Sequence, residues 1–202
     1  MSRFVPLSVV GLLAGAAVSL LAQQAVAQTD YANQERIGEQ VYANCQHRFA
    51  VIYPGQPKTR DFSYATRTGT TVPAREYLFR EGADRFAVTV AVFPANSPVV
   101  DDATVEHAAE QIRAKGGRIN QQFKEPYDPG MPGRQLNITY PNGKQLRASI
   151  YMANRHLTIT EALAAEGDFG ALQFEQSIAL TNEKGYDLDA PNAGVARDFG
   201  CR

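Results

Sequence analysis

Three histidines, His47, His107 and His156, carry most of the acid–base and metal-ligating potential of this 202-residue chain. A helical metal pair needs two histidines one turn apart, and the H-E-x-x-H arrangement adds a glutamate between them; neither occurs. A zinc site would require these distant residues to converge with a carboxylate. Ser63, Ser97, Ser149 and Ser177 lie in the body of the chain, none within a G-x-S-x-G turn. Ser149 is expected to point outward from a strand, and Ser177 falls on the last expected helix. No glycine-rich phosphate cradle is present. Asp101-Asp102 read as first-turn acids of a helix, and Asp187 and Asp189 lack the ligand-rich loop of a calcium hand. Both pairs read as solvated structural acids, and His107 reads as an exposed helical residue. These patterns predict no catalytic constellation, no metal and no cofactor.

Cys45 and Cys201 are the only cysteines, and the compartment decides how to read them. Arg3 precedes an apolar run, Val9 to Ala22, and then Ala25-Val26-Ala27. A charged start, a short apolar core and a small-x-small site are the three parts of a cleavable secretory signal. Gln23-Gln24 ends the run before the roughly 20 residues a membrane span needs. The expectation is a signal over 1–27, removed at Ala27–Gln28, and one globular domain over 28–202. The product is then periplasmic or secreted, with no membrane segment after cleavage. Two thiols in an exported protein predict a Cys45–Cys201 disulfide. A redox-active thiol would more often come as C-x-x-C.

Composition is that of an ordinary globular protein, with 44% hydrophobic and 20% charged residues. A formal net charge of −1 gives no basic balance for nucleic acid or an anionic membrane.

The elements that must position any site follow from periodicity. Asn33–Asn44 has weak helical spacing through Ile37 and Val41. Phe49–Tyr53 reads as a strand stopped by Pro54-Gly55, and Asp61–Thr68 with Val72–Arg80 as a hairpin. Arg85–Phe93 alternates Phe86, Val88, Val90 and Val92 against Ala87, Thr89 and Ala91, whose small side chains suggest a helix packs on their side. Asp101–Lys115 is that kind of helix, with the stripe Val105, Ala108, Ala109 and Ile112 and a stop at Gly116. Antiparallel strands follow: Arg118–Phe123, Arg134–Tyr140, Gln145–Met152 and Leu157–Leu163. Asn142-Gly143 predicts a type I′ turn, and Asn154-Arg155 another turn. Phe169–Leu180 reads as a helix burying Leu172, Phe174, Ile178 and Leu180, before a polar tail pinned by Cys201.

One cluster suggests recognition. Arg134, Arg147 and Arg155 fall near Tyr127, Tyr140 and Tyr151 on the antiparallel run, and Arg and Tyr are favoured at interface hot spots. The loop Lys124–Gly133, stiffened by Pro126, Pro129 and Pro132, would present Tyr127 and Met131 as anchors beside Arg134. The candidate recognition surface is therefore Tyr127, Met131, Arg134, Arg147 and Tyr151. An ordinary exposed sheet edge would look the same.

The stretch from Phe49 to Leu180 resembles the PsbP-like family. The likeness rests on Phe49-Ala50-Val51-Ile52-Tyr53-Pro54-Gly55, Tyr77, the Arg85–Phe93 strand, Gly133-Arg134-Gln135-Leu136, the Asn142-Gly143 hairpin with Arg147–Tyr151, and Phe174-Glu175-Gln176-Ser177. It implies an α+β fold, an antiparallel sheet flanked by helices in an α/β/α sandwich, and a non-catalytic binding or assembly module. The family is named after an extrinsic subunit of photosystem II, whose photosynthetic role does not transfer, since no binding residue of that subunit has a counterpart here.

The expected function is an exported, non-enzymatic binding or assembly protein of the cell envelope, whose partner is an envelope protein or a small ligand. Two alternatives stand beside it: a periplasmic carrier of a small apolar ligand, and a small envelope hydrolase with a noncontiguous site. A large apolar pocket would favour the carrier; a convergent nucleophile, histidine and carboxylate would favour the enzyme.

Overall fold

Side-chain alternation on one strand accounts for the division of the protein into two cores. On β5 (Asp84–Val92), Phe86, Val88 and Val90 pack with Phe49, Tyr53 and Phe174 on one side of the sheet. Ala91 points the other way and packs with Val105, Ala108 and Ile112. Successive strand residues face opposite sides, so a strand apolar on both must be covered on both.

The computed structural model describes residues 40–189 and 197–201. The signal expected over 1–27 lies outside the described residues, as does most of the helix expected from Asn33. The elements before β5 are β1 (Gln40–Asn44), β2 (Phe49–Tyr53), β3 (Lys58–Ala65) and β4 (Thr71–Glu81). After it come α1 (Asp101–Arg113), β6 (Arg118–Lys124), β7 (Gly133–Thr139), β8 (Lys144–Ala153), β9 (His156–Ala165), α2 (Phe169–Gln176) and β10 (Ala179–Leu180).

Seven strands form one antiparallel sheet in the order β3-β4-β5-β9-β8-β7-β6. Its halves join where β5 pairs with β9, for example Val88 opposite Thr160. α1 lies chiefly over β7, β8 and β9 on one face, burying the expected stripe Val105, Ala108, Ala109 and Ile112. α2 covers β8 and β9 on the other face, beside a small sheet ordered β1-β2-β10. The chain is thus α+β, with an antiparallel sheet between two apolar layers. No helix among the described residues is long and apolar enough to cross a membrane.

Cys45 and Cys201 are bridged, their Cα atoms 5.4 Å apart across a sequence separation of 156. Gly133 is fixed by crowding: a Cβ there would meet the Glu125 carbonyl at 2.1 Å and the Tyr151 ring at 2.5 Å.

Several local expectations are corrected. Residues 40–44 are a strand, not the end of a helix: Tyr42 pairs with Val51 in β2 and its ring packs edge-on to Tyr53. Val41, a residue of the supposed helical stripe, is exposed. The β7–β8 turn is not type I′. Tyr140 N–H donates to Lys144 O at 2.8 Å and Gly143 N–H to Tyr140 O at 3.0 Å, making a three-residue loop. Pro141 decides this, because its ring holds φ near −65°, which suits a type I turn closed by a left-handed glycine. Gly143 alone in that loop has positive φ, 78°. Positive φ at two consecutive residues occurs one hairpin later, at Asn154 (48°) and Arg155 (66°).

The last helix is shorter than expected. It starts where Asp168 accepts from Ala171 N–H at 2.7 Å, and it ends at Gln176. Ala179 and Leu180 then extend to pair with Ala50 and Phe49 of β2. Phe174, Ile178 and Leu180 are buried as expected, while Leu172 is half-buried.

Candidate functional site

The sequence-derived recognition residues do not share one surface. Arg134 is 3% exposed and sits beneath α1, donating from Nε to Glu106 at 2.8 Å and from Nη2 to Asp102 at 3.0 Å. Tyr127, Met131 and Tyr151 pack into the core on the opposite side of the sheet. The Tyr127 ring meets Tyr151 edge-on at 5.3 Å. Arg147 is half-buried on that side and lines a small recess with Glu175. The Tyr127 hydroxyl, and Met152 N–H donating to Pro132 O at 3.2 Å, hold the loop against the body, so it does not present its anchors.

The acids are also differently placed. Asp102 is exposed but paired with Arg134. Asp187 is buried, accepting from Arg197 Nε at 2.9 Å and from the Tyr127 hydroxyl at 2.5 Å.

The nucleophile and base candidates stay apart. Ser149 is fully buried rather than outward-facing, and its hydroxyl donates to Glu175. Burial raises the Glu175 carboxyl above its ordinary range, against the opposing influence of Ser149 and Arg147. His47 is hydrogen-bonded to the Tyr77 hydroxyl; burial first, then the Arg75 charge, lower its pKa. His156 Nδ1 lies 2.9 Å from the Asn154 carbonyl oxygen. His107 is half-buried, 3.3 Å from Ala65 O and 3.0 Å from Gln111 Nε2. Among the described residues no group of three or more His, Cys, Asp or Glu side chains could hold a metal ion.

What the fold does assemble is a cavity of about 400 Å³ between the β3–β4 turn and the segment joining β5 to α1. Tyr64, Val72 and Phe93 give it an apolar wall, with Pro98 and Val100 across from the turn threonines. Tyr64 is on β3, where its side chain faces the same way as Phe62 and joins the α1-side core. Its hydroxyl is buried and has no hydrogen-bond partner. Burial pushes its pKa up to about 12, so it stays a neutral donor.

Both sides of the cavity are held in place. On the turn, Thr66 N–H donates to Thr70 O at 2.8 Å, and the Thr66, Thr68 and Thr70 hydroxyls bond one another at 2.8–3.2 Å. Gln111 Nε2 ties Ala65 O to α1 at 3.2 Å. Opposite, Arg155 grips the β5–α1 segment, donating from Nε to Phe93 O at 3.1 Å and from Nη2 to Ser97 O at 2.7 Å. A third bond goes from Arg155 Nη2 to Pro94 O. Arg155 thus belongs to the cavity's support and not to a recognition cluster. The signal for this site was the threonine-rich turn Thr66-Arg67-Thr68-Gly69-Thr70-Thr71 beside an inward Tyr64. Spacing on one strand gives no hint that residues 93–100 close over it.

No protein-family model and no curated protein matches this chain. Among solved structures it is similar to cyanobacterial PsbP (CyanoP) from Synechocystis sp., with 15% identity and a TM-score of 0.47, covering 71% of this chain and 92% of that one. It is also similar to a protein of unknown function from Pseudomonas aeruginosa, with 11% identity and a TM-score of 0.30, covering 64% of this chain and 85% of that one. At these values no residue role is carried across, and the α+β class rests on the strand order itself.

Proposed function

We propose that this is an exported, non-enzymatic binding protein of the cell envelope, whose ligand is a small, largely apolar molecule carrying one hydrogen-bonding group. The observation that carries the reading is the cavity of about 400 Å³ itself, walled by Tyr64, Val72 and Phe93. Ligand sites commonly span about 300–1,000 Å³, with apolar walls and a few polar groups. Tyr64, Val72 and Phe93 cover the apolar part of such a ligand, while Arg67, Asn96 and the turn threonines line the polar side. Binding rather than turnover suits the lining: the threonine hydroxyls bond each other, and His107 is held beside Ala65 and Gln111.

Export is supported by the order of charge, apolar run and small-x-small site before Gln28, and by the disulfide. Intact mass of the exported protein should begin at Gln28; a mass retaining Leu12 contradicts cleavage there.

Native mass spectrometry of the protein from its own host tests the binding reading. A retained small molecule is expected on the wild type and lost from Val100→Trp and from Thr104→Trp, which add bulk to the cavity lining. Equal retention by both folded variants places the ligand elsewhere.

A further inference from the structure

On the α1 side of the sheet, two recesses of about 350 and 340 Å³ share Arg60, Glu76 and Arg85 as lining residues; Tyr64 borders the inner recess as well as the cavity, whereas Lys58 and Arg80 line only the outer one. They form one trough running over β3, β4 and β5 toward α1. It exists because, between Arg85 and Ala91, β5 offers only Ala87 and Thr89 on this face, both buried. The larger neighbours on β3, β4 and β9 therefore stand around a low floor. Register puts Arg60 opposite Glu76 and Glu76 opposite Thr89, so the charged groups flank that floor across adjacent strands.

The charges along it alternate. Glu76 accepts from Arg60 at 3.3 Å and from Arg85 at 2.6 Å; Glu161 accepts from Arg85 at 3.3 Å and from Lys115 at 2.6 Å. Both carboxylates are buried. The Lys115 and Arg85 charges keep Glu161 below its ordinary range even though burial, the largest single influence, pushes the other way. Each of the two acids is therefore already matched by two cations. Lys58 and Arg80 line the open end of the trough, are exposed, and have no carboxylate partner among the described residues. Lys58, Arg60, Arg80, Arg85 and Lys115 thus outnumber Glu76 and Glu161 in a protein whose net charge is −1. A local cationic excess in a concave site concentrates anions, and arginine forks suit phosphate and carboxylate oxygens.

We infer that this trough is a second site, separate from the Tyr64 cavity, and that it takes a small polyvalent anion, a phosphorylated or polycarboxylate molecule, on Lys58, Arg60 and Arg80. The buried Glu76–Arg85–Glu161 chain fixes the floor and the Arg60 head, and the free cations supply the attraction. An apolar carrier ligand does not suit a recess lined this way.

Isothermal titration with inorganic pyrophosphate and, separately, with citrate at low ionic strength tests this. At least one should bind the wild type, weaken as salt rises, and bind the Lys58→Ala/Arg80→Ala double variant about tenfold more weakly. Pyrophosphate alone binding identifies a phosphate ligand, citrate alone a polycarboxylate, and either supports the site. Thr104→Trp, at a residue that lines the cavity and neither recess, should bind the same anion as well as wild type, which separates this site from the proposed cavity. Both substituted residues are exposed, so the double variant should melt with the wild type. Absence of binding by both anions, or equal binding by the double variant, overturns the inference.

Discussion

The Tyr127 hydroxyl donates to Asp187 Oδ1 at 2.5 Å while accepting from Leu180 N–H at 3.1 Å, joining the proline-rich loop to the C-terminal tail. Asp187 is held from the other side by Arg197. Desolvation, followed by the Asp187 hydrogen bond, drives the Tyr127 pKa far above its ordinary value, so the phenol remains a donor at every physiological pH. The loop is part of the frame, and that is why Tyr127 is not free to anchor a partner.

Tyr127→Phe should keep the ring against Tyr151 and lose both hydrogen bonds. One of these is to a buried charge, so the expected cost is about 2 kcal/mol. Urea unfolding should show a lower midpoint with unchanged slope. An unchanged midpoint would mean the tail is held without this link.

Reduction of the Cys45–Cys201 bridge should destabilise the protein strongly, because it closes almost the whole described chain. The chain-entropy model gives about 5 kcal/mol for so long a loop. A Cys45→Ser/Cys201→Ser variant should melt well below the oxidised wild type and show no further response to reductant. Equal melting of both proteins, with and without reductant, would show that the bridge adds nothing to the fold.

Glu175 gives a pH dependence with a defined sign. Burial raises its folded pKa above the ordinary 4.5, so the folded protein keeps a proton that the unfolded chain releases. Its stability contribution is complete below pH 4.5 and is lost as pH rises through the folded value. Glu175→Gln leaves a neutral side chain facing Ser149 and removes this loss, so the variant should gain on wild type as pH climbs from 4.5 to 8. His47, with a depressed pKa, acts with the opposite sign below pH 6.5 in both proteins and cancels in the comparison. A wild-type-to-variant difference that is flat with pH would contradict the placement of Glu175.

Local periodicity made much of the scaffold legible. The Phe86–Val90 alternation and the Val105–Ile112 stripe define the two faces of the sheet, and the distant cysteines meet. The misread parts are those where a tertiary partner outweighs local pattern. Val41 stands at helical spacing from Ile37 in the sequence, but pairing with β2 makes Gln40–Asn44 a strand. Pro141 overrides the Asn142-Gly143 signal. Ala179 and Leu180 leave the helical pattern to become a strand on β2. Arg134 resembles a surface residue until α1 brings Asp102 and Glu106 over it. The Tyr64 cavity needs residues from β3, β4, α1 and the β5–α1 segment at once, and Arg155 from β9's leading turn to hold them. No spacing along one element records such convergence.

Crystallography of the protein purified from its host tests the binding reading most directly. Density for an organic molecule is expected between the β3–β4 turn and residues 93–100, against Tyr64, Val72 and Phe93. Density for ordered water alone in that cavity would contradict it.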